Sequence, residues 1–543
     1  MIFGNPLDYA HRLLANISNQ IRKIYLNSNY YDKKISNIEN KILIYKPSPH
    51  LLSSLIKYQK KKNNINNFLI DNLWNNKNIN SKDFRKLNNF FWFFSLDLKS
   101  SKKLAQSVIF NWIKINYKFN SKTWNFDITA KRIIAWLSNY NLTYEESDEE
   151  YQAKFNLMIK KQTNHLINEI NKSTLLDDKL IGCAAIILVG LCYKDEKKYL
   201  PVGLGFLRKI SKFSLDNYGF VKSRNIKQLI FYLKYFILIK EWFKEALISV
   251  PDEIEETIYH LGKAYAFLWQ NTKVDILFNG NNNSNNDEFD NYLKRLGYKF
   301  KNENRELGGY TIFQNKKISL IMDIGHTPIT KFTQNYQAGA LSFEIISNGN
   351  KLISNCGFYE NENYNLNYIS KSTATHSTLV LDDHSSCSFQ TLNKKKNFVS
   401  QGLKITKKDF IFEKNYWKIN ASHNGYQKKF NTIHERKIEF YPDELKFIGT
   451  DIIISKKLNY NIKFDVRFHV EPGIKLMKTQ DNKTILIELK DEGWKFNCNN
   501  FDIDIDNGLY FGNKNSNIQN QNILISGISN SKNEIIEWQL TKI

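Results

Sequence analysis

Cysteine is scarce in this chain. The five present, Cys183, Cys192, Cys356, Cys387 and Cys498, are odd in number, widely spaced and never in a CxxC pair. That argues against a disulfide framework and against a zinc–thiolate site. Long apolar runs are missing too. The most apolar, Leu180 to Leu191, is too short to span a bilayer and suits a buried helix, so no transmembrane segment is expected. Met1-Ile2-Phe3-Gly4-Asn5-Pro6 has neither the basic start nor the apolar core of a secretory signal, which favours the cytoplasm. The chain holds no P-loop, no GxGxxG after a strand, no HExxH and no GxSxG. His384-Ser385-Ser386-Cys387 lacks the context of a thiol protease.

Acidic residues are outnumbered, with 54 Asp plus Glu against 77 Lys plus Arg and a formal net charge of +23. One reading is an anionic partner: an acidic polysaccharide, a nucleic acid or a membrane surface. The other is a compositional bias, since Asn, Lys and Ile are abundant nearly everywhere. The lysines are scattered, and the runs Lys60 to Lys62 and Lys394 to Lys396 fit solvated faces. Aromatic and basic residues are not interleaved on any one element, so nucleic acid is not an expected partner. Asp502, Asp504 and Asp506 alternate on a strand but lack the glycine and closing glutamate of a calcium loop.

What is present is a change of hydrophobic period. At 543 residues two to three domains are expected. Up to about residue 270 apolar residues recur at three- and four-residue spacing, as in Leu104, Val108 and Trp112, or Ile226, Leu229, Ile230, Leu233 and Ile237. From Val274 the period becomes two. The strand candidates are Val274 to Phe278, Lys317 to Met322, Asp451 to Ser455, Lys463 to His469 and Thr484 to Glu488. Asn279 to Asn286 has the composition of a polar surface loop. Helices followed by strands predict two separate domains, 1–272 helical and 273–543 antiparallel β.

The densest information lies in residues 323–382. Leu341 to Ser347 and Lys351 to Asn355 alternate around Asn348-Gly349-Asn350, a tight-hairpin signal. A third alternating strand is expected to carry His376 within Thr375-His376-Ser377-Thr378, with Asn335, Gln337, Asn355 and His376 at strand ends. Leu341-Ser342-Phe343-Glu344, Asn355-Cys356-Gly357 and Thr373-Ala374-Thr375-His376-Ser377-Thr378 resemble the C-terminal sandwich motifs of the heparinase II/III-like polysaccharide lyases. The likeness extends to Trp124, Asp127, Arg132 and Trp136, to Ser214 through Glu241, and to Gly308-Gly309-Tyr310, Asp323-x-Gly325, His423-Asn424-Gly425-Tyr426, His434-Glu435-Arg436 and Arg467-Phe468-His469.

This resemblance implies an incomplete α/α toroid followed by an antiparallel β-sandwich, a substrate cleft between them, and eliminative cleavage of a uronate-containing glycan. It also admits a periplasmic or envelope location. β-Elimination needs a group that neutralises the C6 carboxylate, a base for the C5 proton and an acid for the leaving oxygen. Carried over residue by residue, the family's metal and catalytic positions fall near Asn335, Gln337, Asn355 and His376. Gln337 and Asn355 replace a histidine and an aspartate, so neither zinc nor any other cofactor is expected. The family's tyrosine after Arg224-Asn225 is absent. The candidate catalytic residues are His376, Tyr336 and Arg224. The candidate substrate-binding residues are Asn225, Asn335, Gln337, Asn355, His423, Tyr426, Arg436 and His469. Each also has a structural reading: a core histidine at His376, a helix-start ion pair at Arg224, loop polarity at Asn335 and Gln337, a pinned loop at His423 and Tyr426, and strand bridges at Arg436 and His469. The rival function is a non-catalytic protein that binds acidic glycan, or serves envelope assembly, on a retained lyase fold.

Overall fold

The computed structural model describes residues 17–36, 43–53, 80–96, 102–193, 198–270, 272–283, 286–360, 363–392, 396–455, 461–513 and 517–543, with Leu55 and Trp74. Two compact units emerge. One comprises Met1–Phe213 with Phe231–Ile258, the other Ser214–Ile230 with Tyr259–Ile543.

The first unit is helical. Its described helices include Lys102–Ile115, Phe126–Ser138, Glu149–Glu169 and Leu176–Cys192. Glu149–Glu169 starts where the Asp148 carboxylate accepts from the Tyr151 amide at 2.8 Å, with Glu149 and Glu150 at the positive end of the helix dipole. Leu176–Cys192 is apolar on all sides and buried, as the Leu180 to Leu191 run requires. The Trp124, Arg132, Trp136 motif is a buried cross-link. The Arg132 guanidinium stacks 4.0 Å over Trp112 and donates to Asn88 O, Thr123 O and Gln162 Oε1. No helix among the described residues is long and apolar enough to cross a membrane.

The second unit is built on antiparallel sheets. Five strands run as a meander in chain order: Glu306–Leu307, Tyr310–Gln314, Ile318–Asp323, Phe343–Ser347 and Asn350–Ile353. Asn348 and Gly349 close the last hairpin at φ 44° and 79°, both in the left-handed region that the Asn-Gly pair favours. An eight-stranded sheet has the spatial order Lys475–Lys478, Thr484–Leu489, Glu492–Asn497, Asn533–Lys542, Lys446–Ser455, Thr432–Tyr441, Trp417–His423 and Ile405–Phe412. A four-stranded sheet orders Ile503–Tyr510, Ile518–Ser529, Ile462–His469 and Leu379–Leu381.

Three sequence expectations fail here. Val274–Phe278 is not a strand, because the Leu277 amide donates to the buried Glu344 carboxylate and no strand ladder forms. His376 is not on a strand. It ends the 3-10 turn Thr373–Thr375, and the strand begins only at Leu379. The asparagine-rich segment is not a surface loop: Asn279, Asn281, Asn282 and Asn286 are buried, and their amides fill the hydrogen-bonding needs of neighbouring loops.

One strand shows how polar residues enter the sandwich. Thr432–Tyr441 alternates strictly, so Thr432, His434, Arg436, Ile438 and Phe440 all face inward. Arg436 stands in register with Asp451 on the next strand and grips its carboxylate with two bonds of 2.7 and 3.0 Å. His434 and Trp538 donate to the same carboxylate at 2.7 and 3.0 Å. A buried charge left unpaired costs far more than the pair gains. Arg436→Met should therefore destabilise the protein by about 3–5 kcal/mol, seen as a lower calorimetric melting temperature. An unchanged melting temperature would contradict the role given to this pair.

Candidate functional site

The segment preceding helix Ile226–Glu245 folds into the second unit. Asp216 builds its turn by accepting from the Tyr218 and Phe220 amides at 2.9 and 2.8 Å. The chain then reaches Arg224, whose backbone is left-handed at φ 60° although it carries a bulky side chain. Its guanidinium donates through Nε to Gly308 O (3.1 Å), through Nη1 to His326 O (3.4 Å), and through Nη2 to Gly309 O (2.9 Å) and Asp323 Oδ1 (2.6 Å). It also stacks 4.7 Å over Tyr310, whose hydroxyl donates to the Arg224 carbonyl at 2.7 Å. Burial disfavours the Arg224 cation, but the Asp323 carboxylate outweighs this and raises its pKa. Gly325 makes the room: a Cβ there would lie 2.2 Å from Arg224 Cζ. The markers Gly308-Gly309-Tyr310 and Asp323-x-Gly325 are thus the receptor of one arginine.

Beside this node opens a cleft of about 600 Å³, lined among others by Asp216, Tyr218, Arg224, Glu306, His326 and Lys408. Arg224 has five N–H donors and commits four, leaving one on Nη1. His326 Nδ1 accepts from the Ile405 amide at 2.9 Å, which places the neutral ring's proton on Nε2. Burial, Lys408 and Arg224 all lower its pKa, so the ring stays neutral and Nε2–H is a donor. Lys408 lies against Glu306. Tyr218 is 70% exposed. Three nitrogen donors and one phenol thus line the same cleft.

Of the eleven residues singled out in the sequence, only Arg224 lines this cleft. Asn225 accepts from the Gln228 amide at 3.1 Å and caps helix Ile226–Glu245. Its amide and the half-buried Asn335 flank Gly280, at 2.7 and 3.1 Å from where a Cβ would stand. Tyr336 is wholly buried, with burial raising its pKa, and its hydroxyl accepts from Thr327 at 3.3 Å. Gln337 is saturated: its oxygen accepts from Gly280 N and its amide donates to Gly357 O and Ser370 O. Asn355 accepts from Ser377 N and donates to Glu344.

His376 is buried, with Nδ1 on Ser372 O at 2.9 Å and Nε2 unbonded. Burial lowers its pKa to about 4. His469 is held by Cys356 Sγ and Ala374 O. His423 accepts from Gly425 N and meets His434 at 3.3 Å, while Tyr426 donates to Leu379 O at 2.8 Å. Arg436 is consumed by Asp451. Tyr336, Gln337, Asn355, His376, His423, Tyr426, Arg436 and His469 are buried, and all but His376, whose Nε2 has no partner, spend their polar atoms on bonds within the β-rich unit.

The family's metal position is held by groups that do not suit a divalent ion. The Gln337 and Asn355 oxygens already accept backbone amides. No cluster of three His, Cys, Asp or Glu exists among the described residues. Asp502, Asp504 and Asp506 are instead each paired with Lys483, Lys478 and Arg467. His326, Lys408 and Tyr218 were missed in the sequence. His326 directly follows the Asp323-x-Gly325 marker, a signal that could have found it. Lys408 gives no such sign, since it is one lysine among many on an exposed strand face.

Residues 303–539 match the family model described as heparinase II/III-like, C-terminal. The fold is similar to that of heparan sulfate lyase HepC from Pedobacter heparinus, with TM-score 0.66 and 11% identity over 100% of this chain and 91% of the other. A solved heparinase III gives TM-score 0.66 and 13% identity, covering 94% of this chain and 88% of its own. Another heparinase III gives TM-score 0.68 and 14% identity, covering 91% and 83%. No curated protein sequence matches the chain.

The buried histidines set a dependence on pH. Burial lowers His376 to about 4 and both His165 and His469 to about 3. The unfolded chain takes up these protons near pH 6.5 while the native state stays neutral. Stability should be full above about pH 6.5 and fall below it, by about 1.4 kcal/mol per pH unit for each histidine, until the native value is reached. Calorimetric melting across pH 7.5 to 4 tests this, with a steep fall below about 6.5 expected. A flat profile to pH 4.5 would show that these rings are hydrated.

Proposed function

From a chain that belongs, by residues 303–539, to the heparinase II/III-like family and carries the lyase fold, we propose a polysaccharide lyase that cleaves a uronate-containing acidic glycan by β-elimination at the Arg224 cleft. The observation that carries this reading is the convergence of the free Arg224 N–H, His326 Nε2–H and Lys408 on one cleft that an exposed tyrosine also lines. A uronate carboxylate bound by these donors has its charge neutralised, which acidifies the C5 proton. Tyr218 is the proton carrier of this scheme. Its phenol oxygen takes the C5 proton, the C4–C5 double bond forms as the C4–O bond breaks with its electron pair on the glycosidic oxygen, and the phenol then passes a proton to that oxygen. His326 is a positioning donor rather than a base, because its only lone pair is taken by the Ile405 amide.

A second reading is favoured by a separate observation. His376 and Tyr336, the proton carriers that the resemblance suggests, are buried. A chain that binds the glycan without cleaving it would keep the donors and need no acid or base. Incubation with a panel of uronate polysaccharides, followed by ultraviolet absorbance of the C4–C5 double bond, separates the two. The lyase reading expects absorbance that Tyr218→Phe lowers at least about 100-fold, and that Lys408→Gln lowers mainly through KM. Binding without absorbance supports the second reading. Neither binding nor absorbance on any acidic glycan would remove both.

A further inference from the structure

A second, smaller pocket of about 270 Å³ lies elsewhere in the β-rich unit. It is lined by His384, Ser385, Ser388, Gln401, Lys428 and Lys429, among others. No carboxylate belongs to its lining, and among the described residues no acid lies within ion-pair distance of Lys428 or Lys429. The Lys429 ammonium is not loose. It donates to His384 Nε2, and His384 is oriented from behind through Nδ1, which faces the Asp382 carbonyl. Asp382 is the acid nearest the ring, 3.8 Å from Nδ1, and is not part of the lining. Ser385 Oγ accepts the Thr373 amide, so its own hydroxyl proton can be given to a ligand. The wall at Gly425 is tight: a Cβ there would stand 2.6 Å from the Ser386 carbonyl.

Two ammonium groups, hydroxyls and an amide around a concavity without an acid are the donor set for an oxyanion. The pocket is also close to the cleft. Gln401 lines it, and four residues on, the Ile405 amide holds His326, so the two points are at most about 14 Å apart along the backbone. Thr327, next to His326, contacts Cys387, next to Ser388, at 3.5 Å.

We propose that this pocket is an accessory subsite for one oxyanion group, a carboxylate or a sulfate ester, on a sugar further along the glycan that occupies the Arg224 cleft. The proposal rests on the acidic-glycan reading. The two can fail separately, because the pocket's lysines and the cleft's lysine are different residues. The subsite would favour longer, more highly charged chains and give binding a steeper salt dependence.

The test is calorimetric titration of the full chain at low ionic strength. The probes are glucuronate, inorganic sulfate, glucose as neutral control, and uronate hexasaccharides with and without sulfate. The proteins are wild type, the double variant Lys428→Gln/Lys429→Gln, Ser388→Ala and Lys408→Gln. The altered lysines are exposed, and unchanged melting confirms folding. The double variant should lose about tenfold or more in hexasaccharide affinity, and Ser388→Ala less. A response to glucuronate alone assigns the pocket to a carboxylate, and a response to sulfate alone to a sulfate ester. Equal affinity of wild type and double variant for every anionic probe overturns the subsite. If Lys408→Gln has no effect and no glycan binds, yet sulfate still binds in a Lys428- and Lys429-dependent way, the glycan part of the proposal falls with the functional reading.

Discussion

Arg224 is the point on which the geometry of the β-rich unit's cleft depends. It projects from segment 214–224 and takes partners from two others, 306–310 and 323–327, which already meet through the pairing of Tyr310 with Asp323 on neighbouring strands. A guanidinium suits this task because its planar fork addresses several acceptors at once and remains charged when buried. Asp323 is the counter-charge, held in turn by Gly325 N and Asn279 Nδ2. The left-handed backbone at Arg224 costs on the order of 1 kcal/mol, and it persists because side chain and carbonyl are both tied down. The cleft beside it is therefore preorganised: its donors are set before any ligand arrives.

Much of the architecture is legible in the sequence. The change from helical period to period two, the Asn348-Gly349 turn and the apolar Leu180 to Leu191 helix all express local geometry that tertiary packing reinforces. The glycine and aspartate markers were visible as motifs, but their common purpose, the reception of Arg224, needs three-dimensional contact to see. The asparagine-rich stretch misled because composition says nothing about burial. There, side-chain amides replace a ladder of backbone bonds and satisfy Tyr310, Asp323 and Ile276. His376 was expected on a strand, but it ends a 3-10 turn instead, because a motif fixes neighbours in sequence and not the burial of the ring: that ring lies against Gly339 and one nitrogen has no partner.

The sandwich interior and the cleft follow opposite rules. In the interior, Arg436, Asp451 and His434 form a closed network in which every charge has its partner, with His423 hydrogen-bonded to it through His434. These residues are motif members, and their role is cohesion. In the cleft, donors are left over after the structural bonds are made. That surplus, on a chain with net charge +23, is the ground on which the proposed acidic-glycan reading rests.

The claim that one arginine holds the cleft loops in register is tested most directly by amide hydrogen exchange on Arg224→Gln. The account predicts that protection falls together in 214–224, 306–310 and 323–327, while strands Thr432–Tyr441 and Lys446–Ser455, anchored by Asp451, exchange as in the wild type. Loss confined to 214–224, with the other two loops unchanged, would contradict it.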